Sequence, residues 1–303
     1  MAPGRPGGRI RALSKLFGFA QLDFAGPLPL ADGRYLARDP EDGDESVLVI
    51  ATEGAPAPPP RRRRRARRAD PEAEPSPLPL TRATAIRAFA PFAGEEEAQR
   101  WLAEASEAEE TADELVADGV ALLNRALHAQ AVAGADPHVP TLTPERAVAV
   151  RLGYGSGEQV ADGRYAAARE VDVWASGASR RRRRQEDLRP QERVAAVLGG
   201  RERLDACETL LLRARADLDA GRTREAALQL RVGLEALLAE LRGGLADPDH
   251  ERDMATLTER RHEAGEAANA ALAGELDPAT AAAVEELLAI CERVLRRRRV
   301  LRE

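Results

Sequence analysis

The chain has 303 residues, a net charge of −6, 44% hydrophobic residues and only 3% aromatic ones. Length and composition allow about two domains with cores of Leu, Val and Ala, and the net negative charge excludes a uniformly basic nucleic-acid-binding chain. The apolar stretches fall short of the roughly 20 residues that a membrane span needs. Two cysteines, Cys207 and Cys291, make no disulfide framework. The weakly apolar run after Arg5, Arg9 and Arg11 is interrupted by Asp23 and lacks a small-residue cleavage site, so no signal peptide is expected and the location expected is cytoplasmic.

Residues 1–54 read as a small β-containing module. Phe17, Phe19, Leu22 and Phe24 supply apolar positions, and Ala31-Asp32-Gly33 turns the chain into Arg34-Tyr35-Leu36. A second turn at Asp39–Gly43 precedes Val47-Leu48-Val49-Ile50, a continuous apolar run expected to be a buried strand in a meander or hairpin pair. Residues 55–78 combine prolines, acids and an arginine run, and are expected to be a disordered linker.

Residues 79–174 read as a mixed α/β module. Thr81–Phe92 alternates as a strand. From Glu95 to about Ala133, Trp101, Leu102, Ala105, Ala108, Ala112, Leu115, Gly119, Leu122 and Ala126 recur at helical spacing, predicting one or two helices. Asp136-Pro137 and Val139-Pro140 end them, and Val148, Val150, Leu152 and Tyr154 then alternate as a further strand.

Residues 175–187 form a second, arginine-rich linker, and residues 188–303 an antiparallel helical bundle. Its helices are expected near 190–199, 201–220, 223–242, 250–273 and 278–302. Their seams are Leu204, Cys207, Leu211, Ala214 and Leu218; Ala227, Leu230, Leu234, Leu237 and Leu241; and Val284, Leu287, Cys291, Val294 and Leu295. Gly221, Gly243-Gly244 and Gly274 stand where helix ends want glycine, and Asp277-Pro278 offers an N-cap and a first-turn proline. The expected class is therefore mainly α, α+β overall.

Gly221, Ala226 and Gly233, spaced five and seven apart within Leu211–Leu238, resemble the turn and second helix of a tetratricopeptide repeat, which implies a helical hairpin that binds peptides. A single copy is visible, so an ordinary helical hairpin accounts for it. The same hairpin resembles the HEPN helical domains, whose ribonuclease members carry an Arg followed after four to six residues by His. None of His128, His138, His250 and His262 has an Arg at that spacing, so the resemblance implies helices and no activity.

Gly153-Tyr154-Gly155-Ser156-Gly157-Glu158 follows a predicted strand, as a phosphate loop would. Glu158 stands where the dinucleotide fingerprint needs glycine, and no Gly-Lys-Ser/Thr follows, which favours a glycine-rich turn. Asp247–Asp253 surrounds His250 with carboxylates, a pattern read as an N-cap with acids at the positive helix end rather than as a metal site. Cys207 and Cys291 lie on apolar seams as small hydrophobes. No catalytic residue, metal or cofactor is assigned.

The strongest functional candidates are the arginine runs. Polyanion binding is assigned to Arg61, Arg62, Arg63, Arg64, Arg65, Arg67 and Arg68, and to Arg180, Arg181, Arg182, Arg183 and Arg184; residues 296–299 are a third run. No aromatic residue interleaves with them, so base stacking is not offered. The 45 basic residues include a single lysine, Lys15, which GC-rich codon usage explains without selection for charge. Glu95–Asp118 is strongly acidic, and the first run could lie on it. The leading expectation is a non-enzymatic protein-binding or scaffold protein, with another protein or a second copy as partner. RNA or another polyanion comes second, and an enzyme third.

Overall fold

The computed structural model describes residues 15–39, 43–54, 79–172, 190–241 and 247–301. The chain divides between Ala178 and Ser179 into two compact units. Together they make a mixed α+β protein. Among the described residues no helix is long and apolar enough to cross a membrane. The expected linkers at 55–78 and 175–187 lie outside the described residues.

The first unit is built on one antiparallel sheet. Its strands are β1 (Leu16–Ala25), β2 (Gly33–Arg38), β3 (Glu45–Glu53), β4 (Leu80–Phe92), β5 (Ala147–Ser156) and β6 (Ala167–Glu170), in the order β2-β3-β4-β1-β5-β6. Strand β1 pairs with β4 on one side and β5 on the other. The separate modules expected at 1–54 and 79–174 thus share one sheet; of the meander or hairpin pair expected in the first, β2 and β3 form a hairpin, while β1 pairs with β4 and β5 instead. The reason lies in β1 itself, which is apolar on both faces: Ala20, Leu22 and Phe24 enter one buried cluster and Phe19 another. Such a strand is stable only between neighbours.

Helices α1 (Glu95–Glu107) and α2 (Glu109–Gly134) cover the face carrying Leu22, and Leu102, Val116, Leu123 and Leu127 are buried there. Gly119 lets α2 approach closely, since a Cβ there would lie 3.0 Å from the Cβ of Ala20. The expected alternation of β5 fails at Val148. The pairing register jumps from Ala149 to Ala147, so Val148 bulges outward, 65% exposed, while Ala147 turns into the core.

The second unit comprises α4 (Pro190–Leu198), α5 (Ala206–Asp219), α6 (Thr223–Glu240), α7 (Pro248–Glu259), α8 (Arg261–Ala273) and α9 (Pro278–Leu301); the short α3 (Gly157–Ala161) belongs to the first. The expected seams of α6 and α9 are buried throughout. In the α5 seam Cys207, Leu211 and Ala214 are buried, whereas Leu204 precedes the helix and is exposed. Gly233 lets α6 meet Leu211, whose Cδ2 would lie 2.9 Å from a Cβ at that position. Gly221 takes a φ of 71°, and Asp277 accepts hydrogen bonds from the Ala279 and Thr280 amides, both as expected of helix ends. The helix expected over 250–273 is two helices, broken at Arg260, which bonds to Glu263 and Glu286.

Candidate functional site

Arg61–Arg68 and Arg180–Arg184 lie outside the described residues. The third run stands on the last turns of α9, where α5 and α7 present carboxylates to it. Arg297 contacts Asp253 at 3.0 Å and Asp249 at 3.4 Å, Arg298 contacts Asp205 at 3.0 Å, and Arg299 contacts Glu208 at 3.1 Å. Arg293, one turn earlier, grips Asp253 with two hydrogen bonds of 2.9 Å. Arginine at a helix C-terminus and acids at helix N-termini each complement the helix dipole. Arg297, Arg298 and Arg299 of this run therefore each face carboxylates of the chain's own second unit.

Two carboxylates anchor this arrangement. The Arg293 guanidinium holds Asp253 below the usual carboxylate range, against the opposing effect of burial, with help from Arg297. Burial of Glu208 opposes its ionisation, but bonds from Arg193, at 2.7 Å, and from Arg299 outweigh that and lower its pKa. The first amides of α5, those of Ala206 and Cys207, donate to the Glu240 carboxylate. The anion seat at that helix N-terminus is filled from within the chain.

The remaining sequence candidates resolve into packing. Gly153 and Gly155 lie inside β5. A Cβ on Gly153 would lie 2.5 Å from the Ala167 carbonyl oxygen, and one on Gly155 2.9 Å from Val160. These glycines let β6 and α3 close on the strand; they do not open a phosphate loop. His250 is buried, and its amide donates to the N-cap Asp247. Among the described residues no group of three or more metal-ligating side chains comes together. Burial pushes the thiols of Cys207 and Cys291 up to about 12, leaving little thiolate at neutral pH.

One constellation escaped the sequence reading. Asp23 on β1 is 3% exposed and sits on the sheet face opposite α1 and α2. Arg82 of β4 contacts it at 2.8 Å and Arg151 of β5 at 2.7 Å. Burial works against the charge on Asp23, but the hydrogen bonds and charges of Arg82 and Arg151 prevail and lower its pKa. Beside it Gln21 donates to Thr84 at 3.2 Å, both residues being buried. A lone acid in an apolar strand, with one arginine on each strand that pairs with it, was the available signal; the pairing itself was not.

Two shallow clefts border this unit. One of about 160 Å³ lies between Val49, Arg82, Val160 and Asp162, and one of about 150 Å³ between Gly18, Arg87, Phe92 and Trp101. Both are smaller than the roughly 300–1,000 Å³ of sites that enclose drug-sized ligands. No protein-family model matches the chain, and comparison with curated proteins and with solved structures finds no match.

Proposed function

We propose that this chain is a cytoplasmic, non-enzymatic protein-binding or scaffold protein, and that residues 190–301, read as an antiparallel helical bundle, supply the docking surface. One observation carries the reading. Val194 and Leu198 on α4 are 55% and 83% exposed, and Leu204, just beyond, is 60% exposed. Single apolar side chains at a surface are ordinary, but several in one short stretch mark an interaction surface. No residue of α4 is buried, so the helix contributes little to the core beneath it.

The test is capture of a binding partner from a cell extract by the full chain and by a Val194→Asp, Leu198→Asp variant with unchanged far-ultraviolet circular dichroism. Docking through α4 predicts a protein retained by the first and lost by the second. Equal capture by both rejects it. Binding to RNA or another polyanion is the second reading, and Arg297, Arg298 and Arg299 count against it because each already faces a carboxylate. Retention that ribonuclease abolishes in both proteins would favour it through residues 61–68 and 180–184.

A further inference from the structure

We infer that residues 5–14, which lead into β1, dock on the chain's own first unit, with Ile10 in the cleft beside Trp101. The pairing of β1 with β4 runs from Phe17 opposite Pro91 to Phe19 opposite Ile86, so Arg87–Ala90 bulge out of register beside Gly18. At this bulge lies the cleft of about 150 Å³, whose lining includes Gly18, Arg87, Phe92, Glu97 and Trp101. Aromatic rings dominate it. The Trp101 ring lies against Gly18, where a Cβ would come within 3.0 Å of it, and packs on Phe92 with 5.4 Å between ring centroids. An apolar cavity of roughly 150 Å³ holds a benzene-sized group, so one aliphatic side chain suits the cleft in size and chemistry.

Reach, chemistry and charge name the occupant. Leu16 pairs with Phe92, a lining residue, so the chain enters β1 at the edge of the cleft. From Lys15 along the strand to Gly18 is about 10 Å, and the chain from Lys15 back to Ile10 spans up to ~17 Å. Ile10 is the large apolar side chain of this segment with that reach; Leu13, two residues from Lys15, stands too near the strand to turn back. Residues 5–14 contain Arg5, Arg9 and Arg11 and no acid, whereas α1, which carries Glu97 and Trp101, has five glutamates and one arginine. Among the described residues none of these glutamates pairs with an arginine. Arg87, whose guanidinium lies 5.0 Å over the Phe89 ring, is free to donate to carbonyl oxygens of the docked backbone. The tether makes the encounter intramolecular, at an effective concentration of about millimolar order, so one apolar contact and screened charges suffice.

Acrylamide quenching of Trp101 tests this in the full chain carrying Trp174→Phe, which leaves Trp101 as its one tryptophan. The expected result is a protected indole. Ile10→Asp raises the Stern–Volmer constant and red-shifts the emission, with far-ultraviolet circular dichroism unchanged because Ile10 precedes β1. Arg9→Glu with Arg11→Glu also raises the constant, and adding Glu96→Arg with Glu104→Arg, both exposed on α1, lowers it again. Salt at 1 M, where the screening length falls to ~3 Å, removes the part of the protection due to charge. Dilution of the protein leaves the protection unchanged. Indifference of Trp101 to Ile10→Asp, or to the arginine reversals, overturns the inference and leaves the cleft to a separate partner. Protection that is lost on dilution overturns it too, since a second copy's segment would then fill the cleft.

Discussion

At the scale of single residues, two glycines predict opposite outcomes. Gly153→Ala would place a methyl group 2.5 Å from a backbone carbonyl and 2.6 Å from Phe19, neither of which can retreat without shifting the sheet. A loss of about 1–3 kcal/mol or more is expected from that overpacking. Gly265, inside α8, has nothing within 4 Å of a built Cβ, so Gly265→Ala should gain about 0.5–1 kcal/mol through helix propensity alone. Denaturant midpoints check both. Asp23 gives a third expectation. Its replacement by Asn leaves two arginines facing a neutral group, a loss of about 3–5 kcal/mol for a broken buried pair. The lower end is expected because Arg82 and Arg151 retain Glu53 and Glu170. The folded pKa of Asp23 is depressed, so this contribution is full above the ordinary aspartate value of ~3.9 and disappears as pH falls through the lower folded value. Midpoints of the native chain and of Asp23→Asn should therefore differ at pH 7 and converge in strong acid. A constant difference across that range would show that shape, not charge, makes the contribution.

At the scale of elements, the helical periodicity was legible and its interruptions were not. The seam Ala227, Leu230, Leu234, Leu237 and Leu241 could be read because one apolar stripe on a helix has a single place to go. Leu234 is 1% exposed, and Leu234→Ala should cost about 2–5 kcal/mol, measured by thermal melting at 222 nm. A change near zero would mean that the stripe does not carry the core. The break at Arg260 left no such trace, because neither proline nor glycine marks it. Its ion partners Glu263 and Glu286 become visible as partners only once α8 and α9 are in place. The β5 bulge is similar: alternation put Val148 with Val150, and only the register against β1 turns it outward. Strand order was illegible for a related reason, since β1 finds both neighbours in residues far along the chain. What could be read in β1 was its apolar positions, Phe17, Phe19, Leu22 and Phe24, and not its place in the middle of the sheet. Of the candidate site, the exposed stretch Val194–Leu204 was visible only as sequence. Whether apolar residues in a short helix face a core or solvent depends on the rest of the fold.

At the scale of the whole molecule, the division between residues 178 and 179 falls within the stretch 175–187 that composition sets apart, and each unit has its own buried cluster. The distribution of aromatics makes this division measurable. Trp174 is the last aromatic residue in the chain, so tryptophan fluorescence reports the first unit alone, whereas ellipticity at 222 nm reports helices of both. Two cores that form separately should unfold separately. The fluorescence midpoint should then move with Asp23→Asn and Gly153→Ala but stay fixed with Leu234→Ala, which should shift only the remaining part of the ellipticity change. A fragment of residues 179–303 should also melt cooperatively by itself, with the midpoint that the second unit shows in the full chain. Acid adds a second discriminant. Asp253 and Glu208 are both held below their ordinary values by arginines, so the second unit should lose stability as pH falls from ~4 through those depressed values. In a double variant, Asp253→Asn with Glu208→Gln, that acid dependence should be reduced while the fluorescence transition keeps its own, set by Asp23. Coincident transitions that every variant shifts together would show one cooperative block instead, in which the arginine–carboxylate network of α9 and the Asp23 triad act on a common equilibrium.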